Sequence, residues 1–201
     1  MTRVLPRYLL AFGTFILVIS ALGTAVRAEV AGCKAARGFV TVVSGRVADI
    51  MSRPSGHRSR FLRLFKRRAD LKGMADFALG RYVRSMPRRM KAEYYRLAEK
   101  MVASLFSAKM GRTRGRRYKI WNCKPKGSGY IVNGAVVEKN GNIVIDVHWL
   151  LMPRGGRLKL LDISVAHLWL TQQQRSSFRS VLSKNGGDFS ALLKYMRAQS
   201  S

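Results

Sequence analysis

Apolar positions in the first part of the chain recur at helical spacing. Phe39, Val42, Val43, Val47 and Ile50 predict a helix over residues 33–52, and Arg53-Pro-Ser-Gly-His57 ends it. A basic helix follows over 58–68, with Phe61, Leu62, Leu64 and Phe65 as its apolar side. Asp70 is placed to cap a helix over 71–83, because its carboxylate can accept the orphan N–H groups of the first turn. In that helix Leu71, Met74, Ala78 and Tyr82 form one stripe with Phe77 beside it, and Gly80 reads as a point of close packing. Pro87 suits the first turn of a longer helix over 87–109, since its missing N–H costs nothing there. Met90, Tyr94, Leu97, Met101 and Leu105 give that helix an apolar face opposite Arg88, Arg89, Lys91, Arg96 and Lys100.

After Gly111 the period changes from helical to alternating. Residues 118–123, 130–138, 143–151 and 158–166 predict four strands, joined by connections such as Asn140-Gly-Asn142 and Pro153-Arg-Gly-Gly156 that are short enough for antiparallel hairpins. In the third strand Ile143, Ile145, Val147, Trp149 and Leu151 point one way, against Val144, Asp146, His148 and Leu150, so one sheet face should be buried and the other partly wet. Thr171-Gln-Gln-Gln174 has the form of a capping box opening a helix with Phe178, Val181 and Leu182 inward, and Asn185-Gly-Gly187 ends it. Asp188 then caps a last helix carrying Leu192, Leu193 and Met196. The expected fold is α+β: helices packed on one face of a curved four-stranded antiparallel sheet.

Composition sharpens this picture. The chain has 201 residues, 47% of them apolar, which excludes wholesale disorder and suits one domain. Its 38 Lys and Arg against 10 Asp and Glu give a net charge of +28, which calls for an anionic partner: nucleic acid, an anionic lipid surface or an acidic protein. The stretch GRTRGRRYKIW, residues 111–121, looks by itself like a clamp for a nucleic-acid backbone. The N-terminus points elsewhere. Arg3 and Arg7 precede the uncharged run Tyr8–Val26, and Val26-Arg27-Ala28 offers small or aliphatic residues at the −3 and −1 positions, the layout of a secretory signal peptide cleaved after Ala28. The leader would take with it only Arg3, Arg7 and Arg27, so the mature domain, residues 29–201, keeps a net charge of +25. An exported protein meets little nucleic acid. Val30-Ala31-Gly32-Cys33 resembles a lipobox, although Arg27 and Glu29 place charge where such a signal is uncharged.

Candidate chemistry is sparse. Cys33 and Cys123 are the only cysteines, and an oxidising compartment permits a bridge between them without requiring one. They lack metal-ligand spacing with His57, His148 and His167, so neither a metal nor another cofactor is expected. Asp146 and His148 share a strand face, and Ser164 lies on the next strand, but no nucleophile elbow or oxyanion loop surrounds that serine, and no enzymatic activity is expected.

Two blocks carry a family resemblance. Asp70-LKGMADFALGRYVR-Ser85 resembles the ALGRYWR region of the MlaC, or toluene-tolerance, family of periplasmic phospholipid-binding proteins. Leu160-LDISVAHLWLTQQQRSSFRSVLSKNGGDFSAL-Leu193 resembles that family's D-V-type strand followed by a helix reading R-S-x-F. The order and separation of the blocks agree with the family, as does the leader. The departures are Val83 where the family has tryptophan, His167 where a glycine is common, and Leu158 near a frequent tryptophan.

The resemblance implies helices and sheet enclosing an apolar pocket for acyl chains, and a monomeric carrier. It would move phospholipid, or another apolar lipid such as a hopanoid, between an inner-membrane complex of an MCE-domain protein with an ABC transporter and an outer-membrane lipoprotein complex. The walls expected for that pocket are Phe77, Tyr82, Leu97, Met101, Leu105, Ile145, Val147, Trp149, Ile163, Val165, Phe178 and Leu182. The competing class is a cationic protein that binds nucleic acid or the envelope surface.

Overall fold

The computed structural model describes residues 13–110 and 115–200, with side chains over 31–105 and 115–200. Helix α1 (Gly13–Ser52) is followed by α2 (His57–Arg68), α3 (Leu71–Leu79), a 3-10 turn (Gly80–Val83) and α4 (Arg88–Met110). Strands β1 (Arg117–Lys126), β2 (Gly129–Val137), β3 (Ile143–Arg154), β4 (Arg157–Val165) and β5 (Leu168–Trp169) then form one antiparallel meander in chain order. The chain continues with α5 (Leu170–Lys184) and α6 (Phe189–Gln199). The expected leader falls partly outside the described residues, at 1–12. Among the described residues no helix is long and apolar enough to cross a membrane.

Local sequence explains most boundaries. Asp70 Oδ1 accepts from Gly73 N at 2.9 Å and so opens α3, while its Oδ2 takes a hydrogen bond from Arg154 Nε at 2.8 Å, fixing α3 to the β3–β4 hairpin. Asp188 opens α6 through the N–H groups of Ser190 and Ala191. Gly187 N returns to Leu182 O at 2.7 Å, closing α5 through the left-handed glycines Gly186 and Gly187.

Four features differ from the sequence expectation. The helix over 71–83 ends as an α-helix at Leu79, because Gly80 (φ 60°, ψ −132°) turns the chain into the 3-10 segment. The sheet has five strands, not four. β5 is only two residues long, too short for a periodic signal, and its hairpin turn uses Ala166 (φ 51°) and His167 (φ 64°) instead of the glycines that usually announce such a turn. Thr171 does not cap α5 as the first residue of a capping box. It lies inside the first turn, and the carboxylate of Asp162 on β4 accepts from Thr171 N at 3.1 Å and from the Thr171 hydroxyl. Ile143 is 58% exposed, because a bulge in the β2–β3 pairing between Val136 and Val137 breaks the alternation at the start of β3.

The left-handed pair yields a testable consequence. An L-residue in this conformation costs about 1–2 kcal/mol, and the His167 imidazole, in an exposed position, makes a 3.6 Å contact to Asp146 and a ring contact with His148. His167→Gly is therefore expected to keep or raise stability, by up to about 1 kcal/mol after the looser unfolded chain is counted. A lower urea midpoint in the variant would show that the histidine holds the turn.

A disulfide joins Cys33 on α1 to Cys123 on β1. It engages the Cys33 sulfur that a lipid anchor would need. Gly32 has its own packing reason: a Cβ there would collide with the outer end of the Tyr130 ring of β2, which would have to move aside.

Candidate functional site

The interior is not one core but two. In the first, Ala36, Val40 and Val43 of α1 and Phe61, Leu64 and Phe65 of α2 pack on the inner sheet face of Val132, Val147, Trp149, Leu151, Leu160 and Ile163. In the second, Ala78 and Leu79 of α3, Tyr94, Leu97 and Met101 of α4, Phe178 and Leu182 of α5 and Leu192, Leu193 and Met196 of α6 form a helical lobe. Tyr94 is the pivot of that lobe. Its hydroxyl donates to Ala75 O at 2.6 Å, and its ring meets Phe178 edge-on. Burial holds the phenol well above the usual tyrosine range, so it stays a donor.

An apolar crevice lies along the seam between the two clusters. Its walls draw on both: Met74 and Leu170, with Leu71 and Val102, come from the sheet side, while Ala75, Ala78, Ala98, Met101 and Phe178 come from the helical lobe. Leu105, Thr171 and Gln174 complete it. The Gln174 Oε1 is buried there without a hydrogen-bond partner. A second crevice lies under α1, between Ser44, Val47 and Ala48 and the sheet residues Val136, Val147, Trp149 and Ile163, with Arg116 and Arg117 at its edge. The cavities are small, about 40 and 50 Å³. A deep enclosed pocket of the kind expected from the resemblance is not shown among the described residues.

The twelve residues expected to line one pocket separate accordingly. Met101, Leu105 and Phe178 line the seam, and Val147, Trp149 and Ile163 line the crevice under α1. Leu97 and Leu182 are buried in the helical lobe, Val165 is buried at the end of β4, and Ile145 packs half-buried on the sheet cluster. Tyr82 packs against the helical lobe with its ring edge-on to Phe189. Phe77 departs most. It is 43% exposed, because its ring faces outward under the guanidinium of Arg175. The seam residues not expected, Ala75, Ala98, Val102 and Leu170, are small or isolated apolar positions. Leu71, Met74 and Ala78, which also line the seam, belong to the α3 stripe visible in the sequence.

One polar tie closes the base of the seam. Asp162 is buried and accepts from Ile163 N at 2.8 Å, from Thr171 N and from the Thr171 hydroxyl, so β4 holds the start of α5. Burial pushes this carboxyl above its ordinary value of 3.8, while the three hydrogen bonds pull it back. Asp162→Ala strands two buried Thr171 donors and is expected to cost about 3 kcal/mol. Urea unfolding at neutral pH checks this, and a loss under 1 kcal/mol would show that the tie contributes little.

The other candidate chemistry is not assembled. Asp146 faces His167 at 3.6 Å, and the His148 ring lies against His167 at 5.8 Å between centroids. His148 Nδ1 and Ser164 Oγ are each buried without a partner, so Asp146, His148 and Ser164 form no hydrogen-bonded relay. Burial, then the neighbouring His167, lowers the His148 pKa from 6.5. Among the described residues no group of three or more His, Cys, Asp or Glu is arranged to hold a metal.

Of GRTRGRRYKIW, residues 111–114 lie outside the described residues, Gly115 and Arg116 lead into the sheet, and residues 117–121 belong to β1. Tyr118 donates to Val147 O at 2.8 Å and meets Trp149 edge-on, Arg116 pairs with Glu138 at 3.2 Å, and Lys119 stands over the Trp121 ring.

Comparison with known proteins agrees with this architecture. No curated protein matches the sequence significantly. Among solved structures, a phospholipid-binding protein from Ralstonia solanacearum, determined in complex with a phospholipid, superimposes with a TM-score of 0.69 over 84% of this chain and 96% of its own, at 17% identity. The family model of the MlaC protein matches residues 34–198, from the start of the disulfide-tied part of α1 to the end of α6. With both sequence blocks, both lobes and the whole sheet inside that match, the chain belongs to the MlaC family.

Proposed function

We propose that the protein is a carrier that takes phospholipid acyl chains into the seam between its two hydrophobic clusters. The observation that carries this reading is the seam itself: an apolar crevice whose walls are drawn from both hydrophobic clusters. Opening is required, since a 40 Å³ cavity exceeds one water's share of liquid, about 30 Å³, only slightly. Met74 and Met101, unbranched and adaptable, suit walls that must repack around a flexible chain. Family membership and the phospholipid held by the Ralstonia solanacearum neighbour support the same ligand class.

Exposing two tails of roughly 16 carbons each to water would cost about 25 kcal/mol, at about 0.8 kcal/mol per methylene. A carrier must therefore hide both tails together, and transfer then exchanges one apolar surrounding for another with no covalent step. On this reading the chain is exported by a leader removed after Ala28 and acts in the periplasm as a single monomeric domain. It exchanges lipid between an inner-membrane MCE-domain and ABC-transporter complex and an outer-membrane lipoprotein complex. The Cys33–Cys123 bridge fits an oxidising compartment.

Transfer of a fluorescent phospholipid from donor to acceptor vesicles tests the reading. The protein should accelerate transfer in proportion to its concentration, and an unchanged rate would reject a carrier role.

A further inference from the structure

The first sequence block has a part that lining a seam does not explain. Its Gly80-Arg-Tyr82 segment forms, with Arg175 and Arg179 of α5, a recess of about 260 Å³. We propose that this recess is a phosphate subsite, and that Arg81, Arg175 and Arg179 hold the phosphodiester of a lipid headgroup there.

Unpaired arginines are ordinary in a chain with 38 basic and 10 acidic residues. What distinguishes this trio is how two of its members are seated. The Arg175 guanidinium stands 5.0 Å over the Phe77 ring and lies against Gly80, where a Cβ would come within 3.2 Å of its Cζ, Nε and Nη2. Arg81 stands 5.1 Å over the Tyr82 ring and donates to its hydroxyl at 3.3 Å. Both groups are therefore positioned before any ligand arrives, which lowers the ordering cost of binding. This also gives the outward-facing Phe77 a use.

Where acids are within reach, arginines of this chain find them, as Arg197 does Glu93 at 2.7 Å and Arg154 does Asp70 at 2.8 Å. Arg81, Arg175 and Arg179 form no carboxylate pair among the described residues. Arg175 and Arg179 are one turn apart on α5, a like-charge spacing that destabilises a helix until an anion bridges it. Guanidinium groups in this number match the oxygens of a phosphate.

The recess and the seam draw on neighbouring positions of the same stretches of chain. Arg175 and Arg179 each follow a seam residue, Gln174 and Phe178, and Gly80 comes two positions after Ala78. A lipid with its tails in the seam would have its phosphate at this rim. The lipid source of the phosphate thus rests on the proposed carrier function, whereas the anion site itself does not.

Calorimetric titration separates the two, using dihexanoyl phosphatidylglycerol, dihexanoylglycerol with the same tails but no phosphate, and inorganic phosphate. Arg175→Gln should weaken phosphatidylglycerol binding by about ten- to a hundred-fold and leave dihexanoylglycerol binding unchanged. Arg68→Gln on α2, outside the recess, controls for bulk charge, and unchanged melting temperatures control for folding.

Arg175-dependent binding of the lipid without binding of inorganic phosphate assigns the site to a headgroup. Arg175-dependent binding of inorganic phosphate as well makes it a general phosphate site. Equal phosphatidylglycerol affinity in wild type and Arg175→Gln, or an equal loss in Arg68→Gln, overturns the proposal. If dihexanoylglycerol fails to bind while Arg175-dependent phosphate binding persists, the carrier reading falls and the subsite stands.

Discussion

Replacing Cys33 and Cys123 together by serine is expected to lower the unfolding free energy by about 4–5 kcal/mol. The bridge spans 90 residues and closes a loop containing the second half of α1 and all of α2, α3 and α4 before the chain reaches the sheet. Without the bridge, the unfolded chain regains the freedom of that whole loop, and α1 is held over β1 and β2 by packing and the hydrogen bond from Arg37 to Trp121 O. The loss is large because 4–5 kcal/mol is a sizeable part of what keeps a domain of this size folded. Urea denaturation of the double variant and the oxidised wild type measures it, and reduced wild type should match the variant. A difference below 1 kcal/mol would mean that the α1–sheet contacts already fix the loop.

Ala98→Trp is expected to abolish lipid binding while leaving the fold standing. Ala98 lies half-buried on α4 at the seam, opposite the α3 and α5 walls. An indole there would fill the space that an acyl chain must enter. Because the site is a crevice and not a packed interior, the stability cost should be within about 1–3 kcal/mol, the usual range for overfilling. Val42→Trp on the outer side of α1, where Val42 is 47% exposed, adds the same group away from the seam and should bind lipid normally. Equal lipid binding by both variants would place the tails elsewhere, with the crevice under α1 as the next candidate.

Much of the fold was legible in the chain because its signals are local. The caps at Asp70 and Asp188, the Asn185-Gly-Gly187 stop and the alternation of β2 to β4 each depend on residues a few positions apart. What escaped depends on partners distant in sequence. Thr171-Gln-Gln-Gln174 fits a capping box, yet the acceptor of its threonine is Asp162, nine residues earlier on another element. The α3 and α4 stripes showed which faces are apolar but not what they meet. Periodicity therefore could not tell that Leu97 and Leu182 pack inside a helical lobe while Met101 and Phe178 reach the seam between two clusters. Phe77 sits beside the α3 stripe by spacing, and only the position of Arg175 shows that its ring faces out. The two-residue β5, carrying no period at all, follows from the turn at Ala166 and His167.

The central claim is that the seam holds lipid tails, and its most direct test is the lipid content of the protein itself. Protein purified from the periplasm of expressing cells would be extracted with organic solvent and the extract quantified by mass spectrometry, alongside Ala98→Trp. The account predicts phospholipid close to equimolar with the wild-type chain and almost none with the variant. An extract of the wild-type protein free of phospholipid and of any other apolar lipid would contradict it.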